Sequence, residues 1–215
     1  MTKKPLSTGW QHKAKKTLAE YHRKRDFQAT PEPAGEPTGG GAGRVFVVQL
    51  HDATALHYDF RLEVDGALIS WAIPKGPSLD PTQKRLAVRT EDHPLEYAAF
   101  EGVIPEGQYG AGPVLVWDGG VYDNLMQDRN GEPIAMDEAI EKGHVKVFLH
   151  GKKLTGAFAL TRTGSPGQRE QWLLVKMRDA HADQGDPVTE RPESILTGRT
   201  LTEIVEQESQ RAGNK

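Results

Sequence analysis

Between Arg44 and Met177 the chain breaks into short apolar-rich runs separated by turn residues. RVFVVQLH (44–51), HYDFRLEV (57–64), ALISWAIP (67–74), RLAVRTE (85–91), PVLVWDG (113–119), HVKVFLHG (144–151), GAFALTR (156–162) and QWLLVKM (171–177) are β-branched or aromatic in character. Each reads as a strand. Eight of them at this spacing predict an antiparallel barrel or sandwich. Asp65-Gly66 and Gly119-Gly120 stand where tight hairpins are expected. MDEAIEK (136–142), followed by Gly143, is the one helix the body predicts. No internal repeat is visible.

Outside the body the pattern fades. Residues 1–30 form a basic arm with a helix around Ala14 to Arg25, too poor in apolar positions to fold alone. PEPAGEPTGGGAG (31–43) holds five Gly and three Pro and reads as a flexible linker. The body itself, residues 44–178, reads as the barrel. An acidic tail follows over 179–215, where Thr200 and Glu203 resemble a capping box for a short helix, TLTEIVEQ.

Composition narrows the class. Hydrophobic residues make up 36% of the 215, with 23 Gly and 14 Pro, which suits one modest core with many turns. Cysteine is absent, so disulfides and thiolate metal sites are excluded, and a reducing cytoplasm is the natural setting. The first ten residues, MTKKPLSTGW, carry charge but no apolar run, and no stretch approaches the ~18 apolar residues of a membrane span. Net charge is −3, but unevenly placed. Residues 1–25 hold eight Lys/Arg against Glu20 alone, while the remaining 190 hold 19 basic and 29 acidic side chains. A basic arm on an acidic body suits an extension that tracks phosphates.

The candidate chemistry sits in HDATALHYDFRLE (51–63). In a strand, alternate side chains share a face, so His57, Asp59, Arg61 and Glu63 point one way and Tyr58, Phe60, Leu62 and Val64 the other. His51, at the end of the preceding strand, is close enough to join His57 and Asp59. Two imidazoles and a carboxylate suit Mn²⁺, Fe²⁺ or Zn²⁺ and leave coordination positions open. The competing explanation is an ordinary wet sheet face. Lys75, Arg85, His93 and Tyr97, with Arg61, supply the cations and donors a phosphate ester requires. EGVIPEGQYGAG (101–112) has four Gly and can fold near such a site, but it lacks the Lys-Ser/Thr ending of a nucleotide P-loop.

HDATALHYDFRLEVDGALISWAIPKGPS, RLAVRTEDHPLEYAAFEGVIPEGQYGAG and RDFQATPEP (25–33) resemble the 3′-phosphoesterase domain of bacterial DNA ligase D and its stand-alone relatives. The resemblance runs over roughly residues 10–178. It implies a mainly β fold, a compact antiparallel β-barrel of about eight strands with a few short flanking helices and the active site on its concave face. It implies an Mn²⁺-dependent enzyme of nonhomologous end joining, with Zn²⁺ or Co²⁺ as other candidate ions. His51, His57 and Asp59 match the metal ligands. Arg61, His93 and Tyr97 match the residues that hold the scissile phosphate, Arg61 as a bidentate clamp and His93 as a donor when protonated. Lys75 and Arg85 match basic residues of the same pocket, and Gln49 and Glu91 match further pocket positions. Arg25, Asp26 and Glu32 match the N-terminal segment linked to diester cleavage, where the two acids are expected to accept bonds from hydroxyls of a departing ribonucleoside.

The implied reaction removes a 3′-terminal ribonucleoside, leaving a 3′-phosphate, and then removes that phosphate to leave a 3′-hydroxyl. The expected partners are the 3′ ends of DNA or DNA–RNA primer-templates, with a separate DNA ligase and Ku, since the 215 residues contain no ligase or polymerase domain. A monomer in the cytoplasm, associated with the nucleoid and not with a membrane, is expected. Two other classes match parts of the pattern: a 2-His-1-carboxylate Fe(II) oxygenase, and a non-catalytic module that grips DNA ends.

Overall fold

The computed structural model describes residues 18–35, 43–163 and 170–213. The described residues contain ten strands: β1 (Val45–Asp52), β2 (Leu56–Val64), β3 (Ala67–Ile73), β4 (Arg85–Arg89), β5 (His93–Pro94), β6 (Gly102–Ile104), β7 (Gly112–Asn124), β8 (His144–Gly151), β9 (Thr155–Thr163) and β10 (Gln171–Lys176). Eight of them close into an antiparallel barrel in the order β1-β2-β3-β4-β10-β9-β8-β7, with β7 pairing back onto β1. The short β5 and β6 lie beside β3 and β7. The helices are α1 (Ala19–Arg23), α2 (Met136–Lys142), α3 (Pro187–Glu190) and α4 (Leu201–Gly213). Every strand expected from the sequence is present. No helix among the described residues is long and apolar enough to cross a membrane.

Alternation explains how the barrel is filled. Phe46, Val48, Leu50, Tyr58, Phe60, Leu62, Trp71, Leu115, Trp117, Phe158 and Trp172 form one buried cluster. These are every second residue of their strands, so they face one side of the closed sheet, the interior. The other side chains of β1 and β2, among them Gln49, His51, His57, Asp59 and Arg61, therefore lie on the outer face of the wall. The expected concave site is not the lumen of the barrel. It is a hollow between this outer face and the segments packed on it.

The Asp65-Gly66 hairpin is present, with Asp65 at φ 51° and Gly66 at φ 83°. Positive φ at both central residues gives a two-residue turn whose twist matches the strands. It sets the register Val64↔Ala67, Arg61↔Ser70 and Asp59↔Ala72. The Gly119-Gly120 hairpin is not formed. Both glycines lie inside β7, where Gly119 pairs with Val47 and Gly120 with Phe46. A Cβ on Gly120 would sit 2.2 Å from the His150 carbonyl oxygen, and one on Gly119 3.2 Å from that of Phe46. These glycines serve close packing at the seam where β7 meets β1 and β8, not a turn.

The helix 136–142 has the bounds expected and ends at Gly143 in the left-handed region (φ 78°). The capping box also forms: Glu203 accepts from the backbone N–H and hydroxyl of Thr200 at 2.8 and 3.0 Å. It opens α4, whose Ile204 is fully buried against the barrel core. Of the basic helix expected around residues 14–25, only α1 falls within the described residues.

Candidate active site

On the outer face of β1 and β2, His51, His57 and Asp59 present one ligand atom each within 4.8 Å of one another. The far nitrogens of both imidazoles are pinned by backbone carbonyls. His51 Nε2 lies 2.8 Å from the Gly110 oxygen, and His57 Nδ1 2.8 Å from that of Ala55. Each pinned nitrogen therefore carries the proton, which leaves His51 Nδ1 and His57 Nε2 as free donors. Both lie 3.6 Å from Asp59 Oδ2. A carbonyl-oriented imidazole facing a carboxylate is the arrangement a divalent cation requires, so this buried group can hold a metal.

Arg61 stands beside it, 2% exposed. Its Nε donates to Gln49 Oε1 (2.8 Å), Nη1 to Ser70 Oγ (2.8 Å) and Nη2 to Asp59 Oδ2 (3.0 Å), and Nη1 also lies 2.8 Å from His93 Nδ1, which faces the Glu91 carbonyl at 2.9 Å. Three of the guanidinium's five N–H groups are thus committed to Gln49, Ser70 and Asp59. Ser70 was not a candidate in the sequence reading, yet the hairpin register places it directly across from Arg61.

The charges follow from these contacts. Burial alone would raise Asp59, but Arg61 and the neighbouring His51 and His57 rings hold its carboxyl well below the usual range. Burial, with Arg61 and Arg25 on either side, pushes the His93 imidazole well below its ordinary value. Burial lowers the His57 imidazole pKa, but Asp59 and the Ala55 carbonyl leave it raised from its ordinary value. Tyr97 is 2% exposed, and burial together with Glu32 pushes its phenol well above the normal range.

A strap made of residues 18–35 closes one side of the hollow. Its Arg25 reaches Glu32 Oε1 (2.8 Å), Glu91 Oε1 (3.2 Å), the Tyr21 carbonyl (3.3 Å) and His93 Nε2 (3.3 Å). Glu32 also accepts from the Tyr97 hydroxyl (3.0 Å) and the Thr30 hydroxyl (3.0 Å). Burial would raise Glu91, but its own backbone N–H, Lys24 and Arg25 hold it low. Tyr21, fully buried, anchors the strap through its hydroxyl to the Pro33 carbonyl at 2.7 Å.

The hollow has a volume of about 440 Å³ and is lined by Arg25, His51, His57, Asp59, Arg61, Glu91, His93 and Tyr97 among the expected residues. The other expected residues stand elsewhere. Gln49 is fully buried behind Arg61 and donates to the carbonyls of Tyr97 and Phe100. Glu32 lies behind Arg25 and Tyr97 with both oxygens engaged. Asp26 is exposed, and its carboxylate accepts the Gln28 N–H in a local turn (3.0 Å). Neither acid lines the hollow, so Arg25 is the strap side chain that does. Lys75 is exposed in the turn after β3, and Arg85 opens β4; neither lines the hollow.

Comparison with known proteins now decides the family. The family model for the DNA ligase D 3′-phosphoesterase domain matches residues 49–162. The chain belongs to that family. The multifunctional non-homologous end joining protein LigD of Pseudomonas aeruginosa is 54% identical over 191 residues, covering 86% of this chain and 22% of the relative. The multifunctional non-homologous end joining DNA repair protein LigD of Mycobacterium tuberculosis is 44% identical over 164 residues, 75% of this chain and 20% of the relative. Its counterpart in Mycolicibacterium smegmatis is 42% identical over 165 residues. The chain thus spans about a fifth of the length of these relatives. His51, His57, Asp59, Arg61, His93 and Tyr97 fall within the matched span and border the hollow, whereas Gln49, Lys75 and Arg85 fall within the span but do not line it.

Proposed function

We propose that the chain is a Mn²⁺-dependent phosphoesterase of 3′ ends. It removes a terminal ribonucleoside and then the remaining 3′-phosphate, so that a ligase can use the resulting 3′-hydroxyl. One observation carries the reading. His51, His57 and Asp59 converge with both imidazoles pre-oriented, directly beside a guanidinium and within one hollow.

His51 Nδ1, His57 Nε2 and Asp59 Oδ2 would hold the ion, which supplies a Lewis acid that offsets charge on a phosphoryl oxygen. Asp59 stays ionised through the pH range of biology because Arg61 is bonded to it. Arg61 fixes both Asp59 and His93, and its remaining Nη2 N–H is free to meet one phosphate oxygen. Arg25 brings a second guanidinium to the same hollow, held in place by Glu32 and Glu91. Two guanidiniums from separate segments favour an anionic substrate over the apolar carbon an oxygenase would bind. His93 stands between them, Nδ1 toward Arg61 and Nε2 toward Arg25.

The substrate reading extends beyond the hollow. Lys24 and Arg25 stand at its edge and continue the basic stretch of residues 1–25, most of which lies outside the described residues. The arm would follow the strand that leads into the site. The names of the relatives place them in end joining, and we infer the same pathway here, with a ligase and Ku as partners.

The test is a labelled primer-template ending in a 3′-phosphate, incubated with the protein with and without Mn²⁺. Conversion to a 3′-hydroxyl only when Mn²⁺ is added is the expected result. No conversion at any divalent metal would remove the phosphoesterase reading.

A further inference from the structure

We propose that Tyr109 is a stacking platform for the nucleobase of the nucleotide whose 3′-oxygen carries the scissile phosphate. The contact would be indifferent to base identity, and the proposal rests on the phosphoesterase reading above.

Tyr109 lines the same hollow as the metal group, yet 49% of it is exposed. Tyr21, Tyr58, Tyr97 and Tyr122 are all buried, so Tyr109 is the tyrosine whose ring is open to a ligand at the hollow. The loop that carries it is tightly turned. Gly107 (φ +82°) and Gly110 (φ +76°) take left-handed conformations, and the N–H groups of Gln108 and Ala111 bond back to the carbonyls of Pro105 and Gln108. The next residue, Gly110, offers the carbonyl that orients His51. The ring is therefore held at a fixed place, one residue from a contact to a metal-site imidazole.

Its neighbours suit a nucleic acid strand. Lys24 Nζ lies 4.5 Å from the ring centroid and Arg25 Cζ 5.7 Å away. Aromatic rings beside cations are how sequence-tolerant proteins hold single strands, with bases on the rings and phosphates on the cations. Apolar side chains also line the hollow, among them Leu56 (51% exposed), Ala72, Pro74 and Val88. Among the described residues no Asn or Gln lines the hollow, so no side-chain amide there is placed to read a base edge. An enzyme that trims whatever base ends a strand needs that indifference. The nucleotide bearing the 3′-oxygen is common to both steps, which is why it, and not the departing nucleoside, is the partner assigned.

A different role is open to the same residue. Lys24 Nζ also donates to the Tyr109 hydroxyl at 3.3 Å, so Tyr109 is equally placed to latch the strap. Steady-state kinetics of the Mn²⁺-loaded full chain separate the two. The strands end in a 3′-phosphate or in a ribonucleotide, and the nucleotide before the scissile bond is intact or abasic. Stacking of one base is worth roughly 5- to 150-fold. Tyr109→Ala is expected to raise KM by about tenfold or more on both intact strands, with kcat nearly unchanged. Tyr109→Phe keeps the ring and is expected to stay near wild type. On abasic strands the wild type is expected to show the raised KM already, and Tyr109→Ala to add nothing. That arm uses the unaltered protein, so it does not depend on how a variant folds.

Equal losses in Tyr109→Phe and Tyr109→Ala would make the residue a latch and overturn the proposal. An added loss on abasic strands would make its role structural. A loss confined to the ribonucleotide strand would move the ring to the departing nucleoside. Wild-type turnover on no strand at all overturns the phosphoesterase reading first, and this inference with it.

Discussion

Asp59→Ala is expected to lower the rate of both steps by about a thousandfold or more, the largest effect of any single change. A bound cation contributes several kcal/mol to a phosphoryl transition state, and about 1.4 kcal/mol is tenfold in rate. Asp59 is also the one acceptor shared by the whole centre: Oδ2 lies 3.6 Å from both imidazoles and 3.0 Å from Arg61 Nη2. Removing it takes away a metal ligand and leaves a guanidinium that is 2% exposed without its counter-charge. His57→Ala is expected to give a comparable loss by removing a ligand whose orientation the Ala55 carbonyl has already set. The check is a single-turnover rate on each of the two strands at saturating Mn²⁺, with calorimetry for Mn²⁺ binding. Loss of binding and rate together is the expected pattern. Normal Mn²⁺ binding in Asp59→Ala would place the ion elsewhere.

Arg61→Lys is expected to be nearly as damaging, although charge is conserved. A lysine ammonium has three N–H groups at one point and cannot reach Gln49, Ser70, His93 and Asp59 at once. Each buried acceptor left unpaired costs about 1–3 kcal/mol. We expect a lower melting temperature and a rate loss of about a hundredfold, the scale produced by small misplacements of reacting groups. Rate and melting temperature should fall together, because the residue positions its neighbours. Near-normal turnover in Arg61→Lys would show that these contacts are not what places Asp59 and His93.

Local pattern carried most of the barrel. The eight long strands and the helix at 136–142 follow from alternation, turn residues and caps, and all of these act within a few residues. The shared face of His57, Asp59 and Arg61 is a direct consequence of the two-residue period of β2. Whether that face was wet or covered was not legible, because its cover comes from far along the chain. Tyr97 and Glu32 are 65 residues apart and Arg25 and His93 are 68 apart. No local signal announces such pairings. The same limit explains Gly119 and Gly120, whose meaning depends on β1 and β8 closing around them. It also explains Asp26 and Glu32: their charge was visible, but not that a nearby N–H, guanidinium and hydroxyl already occupy them. Ser70 was within reach, since the Asp65-Gly66 turn alone fixes its place opposite Arg61.

The account turns on the ion lying among His51, His57 and Asp59 with the scissile phosphate next to Arg61. The most direct measurement is a crystal grown with Mn²⁺ and sulfate, with diffraction recorded at the manganese edge. The expected map has an anomalous peak bonded to His51 Nδ1, His57 Nε2 and Asp59 Oδ2, and a sulfate in the hollow within hydrogen-bonding distance of Arg61 Nη2. An anomalous peak at any other position, with these three side chains unligated in a protein that turns over only with Mn²⁺, would contradict it.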